Sequence, residues 1–116
     1  MLPYKIHHGQ VVIVAEVLAM GLSEGPELDG MAMRLQEELM RSNTKKMVMD
    51  CTRLKFMASS SLSVVVTLSR MAEQHKGLFA VCGLRNQLPQ IFKLSGLDRF
   101  IRIYDTREQA LAEMGE

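Results

Sequence analysis

Three consecutive hydroxyls, Ser59-Ser60-Ser61, stand between the apolar Phe56-Met57-Ala58 and a run beginning Leu62-Ser63-Val64. A serine just ahead of such a run can cap a helix by accepting from its free N–H groups. It can also stay in solvent as a phosphate acceptor, where the phosphoryl group adds about −1.5 to −2 charges beside the positive helix end. For a bare serine run, one capping hydroxyl with solvated neighbours is the reading to prefer. Catalysis by such a serine needs a nearby base, and no histidine lies in the segment. The chain has no glycine-rich phosphate loop, no Gly-x-Ser-x-Gly elbow and no Cys-x-x-Cys pair. No catalytic residue, cofactor or metal ligand is expected. His7 and His8 are adjacent, so on a strand they point to opposite faces and do not share a metal. The two cysteines, Cys51 and Cys82, each sit inside an apolar run and read as small buried hydrophobes.

The elements that would position the serines alternate between extended and helical patterns. Tyr4 to His8 and Val11 to Leu18 read as strands joined by a tight turn at Gly9-Gln10, which makes the pair antiparallel. Val11-Val12-Ile13-Val14-Ala15 is apolar on both faces, as in a strand covered on both sides. Gly25-Pro26-Glu27 opens a helix that repeats Leu28, Met31, Leu35 and Leu39 at helical spacing. Lys46 to Cys51 is the next buried strand. Ser60 to Lys76 contains the β-branched Val64-Val65-Val66, yet its length, its opening serines and the exit His75-Lys76-Gly77 predict a helix. Leu78 to Leu84 follows as a strand. Asn86 then caps a helix carrying Leu88, Ile91, Phe92 and Leu94, which Gly96 ends. Ile101 to Tyr104 is a short strand, and Asp105-Thr106-Arg107-Glu108 starts a last helix.

The order β-β-α-β-α-β-α-β-α predicts an α/β fold with a mixed, mostly parallel sheet flanked by about four helices. At 116 residues, with 47% hydrophobic and 23% charged residues, the sequence reads as one domain over residues 1–116. The formal charge is +1 and no Lys or Arg run builds a basic face, which argues against direct nucleic-acid binding. No apolar stretch approaches the about 18 residues of a membrane span, so no membrane insertion is expected and the cytoplasm is the default location. The ten methionines suit irregular gaps in a core or along a partner surface.

One family fits these features. Met47-Val48-Met49-Asp50 followed by Leu54-Lys55-Phe56-Met57-Ala58-Ser59-Ser60-Ser61-Leu62 resembles the STAS pattern, in which an apolar strand ending in Asp leads to Phe, Asp-Ser-Ser-Gly-Leu and a helix. Phe92-Lys93-Leu94-Ser95-Gly96-Leu97-Asp98-Arg99-Phe100, Ile103-Tyr104-Asp105 and Glu108-Gln109-Ala110-Leu111 look like the family's closing elements. The resemblance runs from about Val11 to Met114. It implies a bacterial anti-sigma factor antagonist-like module, working by partner switching: it binds an anti-sigma factor, often also a serine kinase, and phosphorylation breaks the complex. On this alignment the phosphorylated serine is Ser59, with Ser60 as the alternative, and the partner-binding loop is Ala58, Ser59, Ser60, Ser61 and Leu62. Two departures stand out: Ala58 replaces the family's aspartate and Ser61 its glycine. Ala58 leaves room for a second reading, a non-phosphorylated STAS adaptor subunit of a transporter or signalling scaffold. A third is a small serine-dependent enzyme. The sequence names neither the partner nor an oligomeric state.

Overall fold

The computed structural model describes residues 2–116 and has a five-stranded sheet at its centre. Strand β1 (Tyr4–His8) runs antiparallel to β2 (Ile13–Val17), with Ile6 opposite Ala15 and His8 opposite Ile13. The turn between them is wider than the expected Gly9-Gln10 pair. It spans residues 9–12 and is closed by the Gly9 N–H donating to the Val12 carbonyl at 3.0 Å. The chain continues through a two-residue strand β3 (Gly21–Leu22), helix α1 (Pro26–Arg41), β4 (Lys46–Asp50), the two-residue β5 (Phe56–Met57) and helix α2 (Ser59–Gln74). It closes with β6 (Leu78–Cys82), α3 (Leu88–Leu94), a 3-10 turn at Leu97–Arg99, β7 (Arg102–Tyr104) and α4 (Arg107–Glu113).

The main sheet has the order β1-β2-β4-β6-β7, and β2, β4, β6 and β7 are parallel, as the helical crossovers require. Val48 lies opposite Ala80, and Val81 opposite Ile103. Because successive strand residues face opposite ways, the central strands divide their side chains between two cores. Ile13, Ala15, Val17, Met47, Met49, Phe79 and Val81 pack under α1, α2 and α3. Val12, Val14, Val48, Ala80 and Cys82 pack against Ala110 and Met114 on the α4 side. Phe92 is fully enclosed, and truncating a core phenylalanine costs about 3–5 kcal/mol.

The valine-rich segment is helical: Val65, Leu68 and Ala72 are buried one helical turn apart, so tertiary packing overrides the β-branched propensity. Two capping expectations fail. Residue 58, an alanine, occupies the cap position of α2, and no side chain accepts from its first-turn N–H groups. Helix α3 is preceded by Gln87 as its cap residue, and Asn86, expected there, instead takes a left-handed conformation at φ 58 that turns the chain into the helix. Thr106 does cap α4, its hydroxyl accepting from the Gln109 N–H at 3.1 Å. Gly96, at φ 77, ends α3 as expected.

Candidate functional site

The serine cluster lies where β4 has left the sheet and α2 begins. Its backbone is fixed by the small parallel pair β3–β5, which joins Gly21 to Phe56 and Leu22 to Met57. The Met20 carbonyl accepts from the N–H groups of Lys55 at 2.7 Å and Phe56 at 3.2 Å, and the Leu22 carbonyl accepts from Ala58 at 3.0 Å. Two-residue strands leave no periodic signature, and the sequence reading missed both.

The three hydroxyls have three different fates. Ser59 is exposed at the first position of α2. Ser60 is half-buried, and its Oγ is enclosed without a hydrogen-bond partner. Ser61 is 1% exposed and donates to the Leu22 carbonyl at 2.8 Å. Of the expected partner-binding residues, Ser61 is therefore turned inward and offers nothing to a docking protein. Its hydroxyl bolts α2 to β3, work that the family's glycine has no side chain to do. Ala58 and Leu62 are half-buried. None of the three serines caps the helix.

Two large apolar side chains are exposed on the paired segments that lead into Ser59. Phe56 is 53% exposed and lies over Gly21, its ring carbon 3.4 Å from where a Cβ on residue 21 would sit. Met20 is 61% exposed and sits on the adjoining strand entry. Phe56 stood inside the motif and so was visible in the sequence. Met20 was not, because only the β3–β5 pairing brings residue 20 beside residue 56.

A second constellation forms around Asp50, the residue that ends the motif's strand. Its Oδ1 accepts from the Thr52 N–H at 3.0 Å and the Thr52 hydroxyl at 2.5 Å, and its Oδ2 accepts from Arg107 Nε at 2.8 Å. Arg107 Nη2 reaches Glu16 at 3.3 Å, and Glu16 in turn pairs with His7 Nε2 at 2.8 Å. Burial pushes the Asp50 carboxyl up, but the Thr52 and Arg107 hydrogen bonds outweigh it and hold Asp50 below its ordinary value. The His7 hydrogen bond, with Arg107 behind it, does the same for Glu16. Glu16, Asp50, Thr52 and Arg107 line a polar cleft of about 440 Å³ between the ends of β2 and β4 and the start of α4. His8 faces the other side of the sheet and meets Glu38 at 2.6 Å, so the two histidines diverge as their adjacency requires.

A family model for the STAS domain matches residues 16–110, from the Glu16 of this network to the buried Ala110 of α4. The chain belongs to the STAS domain family. Among curated relatives of this STAS chain is the anti-sigma F factor antagonist of Paenibacillus polymyxa, 30% identical over 108 residues that cover 93% of this chain and 90% of that one. Among solved structures, an anti-sigma-factor antagonist (STAS) domain protein from Planctomyces limnophilus superposes with a TM-score of 0.86 at 22% identity, covering 99% of both chains. SpoIIAA, a Bacillus cell-fate determinant solved in its phosphorylated form, superposes at 0.74 with 18% identity, over 95% of this chain and 97% of that one. The structural likenesses establish the STAS fold. Both STAS-domain cysteines are free and buried, and burial pushes their thiols up, Cys82 to about 12. Among the described residues no cluster of His, Cys, Asp and Glu is arranged to hold a metal, and no helix is long and apolar enough to cross a membrane.

Proposed function

We propose that this STAS domain is a cytoplasmic anti-sigma factor antagonist-like module that binds an anti-sigma factor or serine kinase protein and is released from it by phosphorylation of Ser59. One observation carries the reading: an exposed serine at the first position of a 16-residue helix, three residues after the exposed Phe56, whose backbone N–H donates to the carbonyl of the exposed Met20. Exposed aromatic and methionine side chains are the residues from which protein interfaces draw their affinity. A phosphoryl group on Ser59 would rest near the uncapped N–H groups of α2, a position the helix tolerates. The same charge, enclosed by a docked partner without a cation to meet it, would cost several kcal/mol, enough to dissociate a micromolar complex. The module acts by binding rather than catalysis: the three described histidines lie on β1 and at the far end of α2, so none is placed to activate Ser59.

The experiment is incubation with the cognate kinase and ATP. One phosphate mapped by mass spectrometry to Ser59 is the expected result, together with loss of partner binding in Ser59→Glu protein whose circular dichroism is unchanged. Ala58 favours a second reading, a STAS adaptor that is not phosphorylated, because the carboxylate the family pattern places before the acceptor is missing. That reading takes over if the kinase leaves Ser59 and Ser60 unmodified while the partner still binds.

A further inference from the structure

At the other end of the sheet the turn between β1 and β2 is occupied by a carboxylate. Glu116 Oε1 accepts from the backbone N–H groups of Val12 at 2.8 Å and Val11 at 3.0 Å, and Oε2 accepts from Gln10 at 3.2 Å. Three successive amides converging on one anion form a backbone nest, a concavity that binds carboxylate or phosphate oxygens without any cationic side chain.

Three features show that the turn and the segment after α4 are shaped for one another. A Cβ on Gly9 would sit 2.7 Å from the Val12 carbonyl oxygen of the same turn and 2.1 Å from Glu116 Oε1, so glycine here both lets the turn close and leaves room for the seated carboxylate. The Thr44 hydroxyl donates to the Val11 carbonyl from the entry to β4, holding that peptide so that its neighbours' N–H groups face the carboxylate. On the other side the chain leaves α4 through Gly115 at φ 92, the Glu116 N–H donates to the Leu111 carbonyl at 2.9 Å, and Lys46 Nζ donates to the Met114 carbonyl at 2.9 Å. The hydrogen bonds of the turn thus join residues more than a hundred positions apart in sequence.

We infer that the β1–β2 turn is an oxyanion-binding site, distinct from the serine loop, and that the Glu116 side chain is its resident plug. The carboxylate is exposed rather than buried, so solvent reaches it and seating is an equilibrium. A free oxyanion, either a phosphate group or an acidic side chain of another protein, competes for the same three amides. By mass action, a plug seated about nine-tenths of the time lowers the apparent affinity of such a competitor about tenfold.

The test uses the full chain labelled with ¹⁵N, titrated with inorganic phosphate and, in a parallel arm, with acetate, against sodium chloride at matched ionic strength. In Glu116→Gln the amide resonances of Gln10, Val11 and Val12 should shift saturably with phosphate or acetate, and the stronger of the two tells whether the site prefers phosphoryl or carboxylate groups. In the unmodified protein the same shifts should need about tenfold more anion. Glu113→Gln, which removes an equal charge from an exposed position on α4 that accepts none of the turn's hydrogen bonds among those described, should behave like the unmodified protein. Equal affinity in Glu116→Gln and the unmodified protein would overturn the plug. Shifts in Glu116→Gln no larger than those caused by chloride would overturn the site itself.

Discussion

Ser60 and Ser61 are adjacent and chemically identical, and the fold uses them in opposite ways. Ser61 Oγ donates to the Leu22 carbonyl inside the protein, a carbonyl that also accepts from Ala58. Ser61→Ala removes one hydrogen bond without orphaning its acceptor, so the expected loss is about 1 kcal/mol. Ser60 Oγ is enclosed with no partner, and an unpaired buried hydroxyl is a cost already present in the folded state. Ser60→Ala is therefore expected to be neutral or slightly stabilising. Urea unfolding of the two variants measures the contrast, and a Ser60→Ala loss as large as that of Ser61→Ala would show that Ser60 has an acceptor in solution. Which of three serines faces inward is not legible in the sequence, because it depends on where the Leu22 carbonyl lies, thirty-nine positions away.

Among the elements, α4 is held to the sheet by charge as well as by Ala110 and Met114. Arg107 bridges Asp50 at the end of β4 and Glu16 near the end of β2. Both carboxyls titrate below their ordinary values of 3.8 and 4.5, so the folded protein takes up protons there less readily than the unfolded chain. Their pairing accordingly stabilises the fold above the ordinary carboxylate range and is withdrawn as the pH falls through the depressed folded values. Stability measured by urea unfolding should decline as the pH drops below about 4. Asp50→Asn should cost about 1.5–3 kcal/mol at neutral pH, the range for a charged hydrogen bond, and should flatten that decline. An unchanged acid limb in Asp50→Asn would place the proton uptake elsewhere. The elements themselves were legible where a run was long enough to show its period: the six strand and helix patterns β1, β2, α1, β4, α2 and β6 emerge within a few residues of their observed bounds. What stayed hidden was whatever tertiary structure imposes. The β3–β5 pair is too short for a period, the α2 cap is an alanine, and Asn86 serves the turn through its backbone rather than the helix through its side chain. Asp50 was legible as the end of the motif's strand, but its partner Arg107 lies fifty-seven positions away and was read only as part of a helix start.

At the scale of the whole molecule, the parallel strands separate two surfaces. The ends of β2 and β4 lead to Met20, Phe56 and Ser59, while their beginnings lead to the Glu116-filled turn. Strand β2 alone has five residues, about 13 Å at the strand rise, which puts the two sites beyond the distance at which substitutions without shared partners couple. No hydrogen bond or ion pair among those described runs from the serine loop to the turn; the polar links between them end at Asp50, Arg107, Glu16 and His7. A double-substitution cycle decides whether the sheet nevertheless transmits between them. Ser59→Glu should weaken partner binding by the same factor in the presence and absence of Glu116→Gln, and the phosphate affinity of Glu116→Gln should be unaffected by Ser59→Glu. Both pairs of free energies are expected to add within about 0.5 kcal/mol, measured by calorimetry for the partner and by amide shifts for phosphate. A coupling above about 1 kcal/mol would mean that β1 and β2 move as a lever between the ends, with the His7–Glu16 pair as the first contact to substitute, since it joins those two strands on the face that carries Arg107.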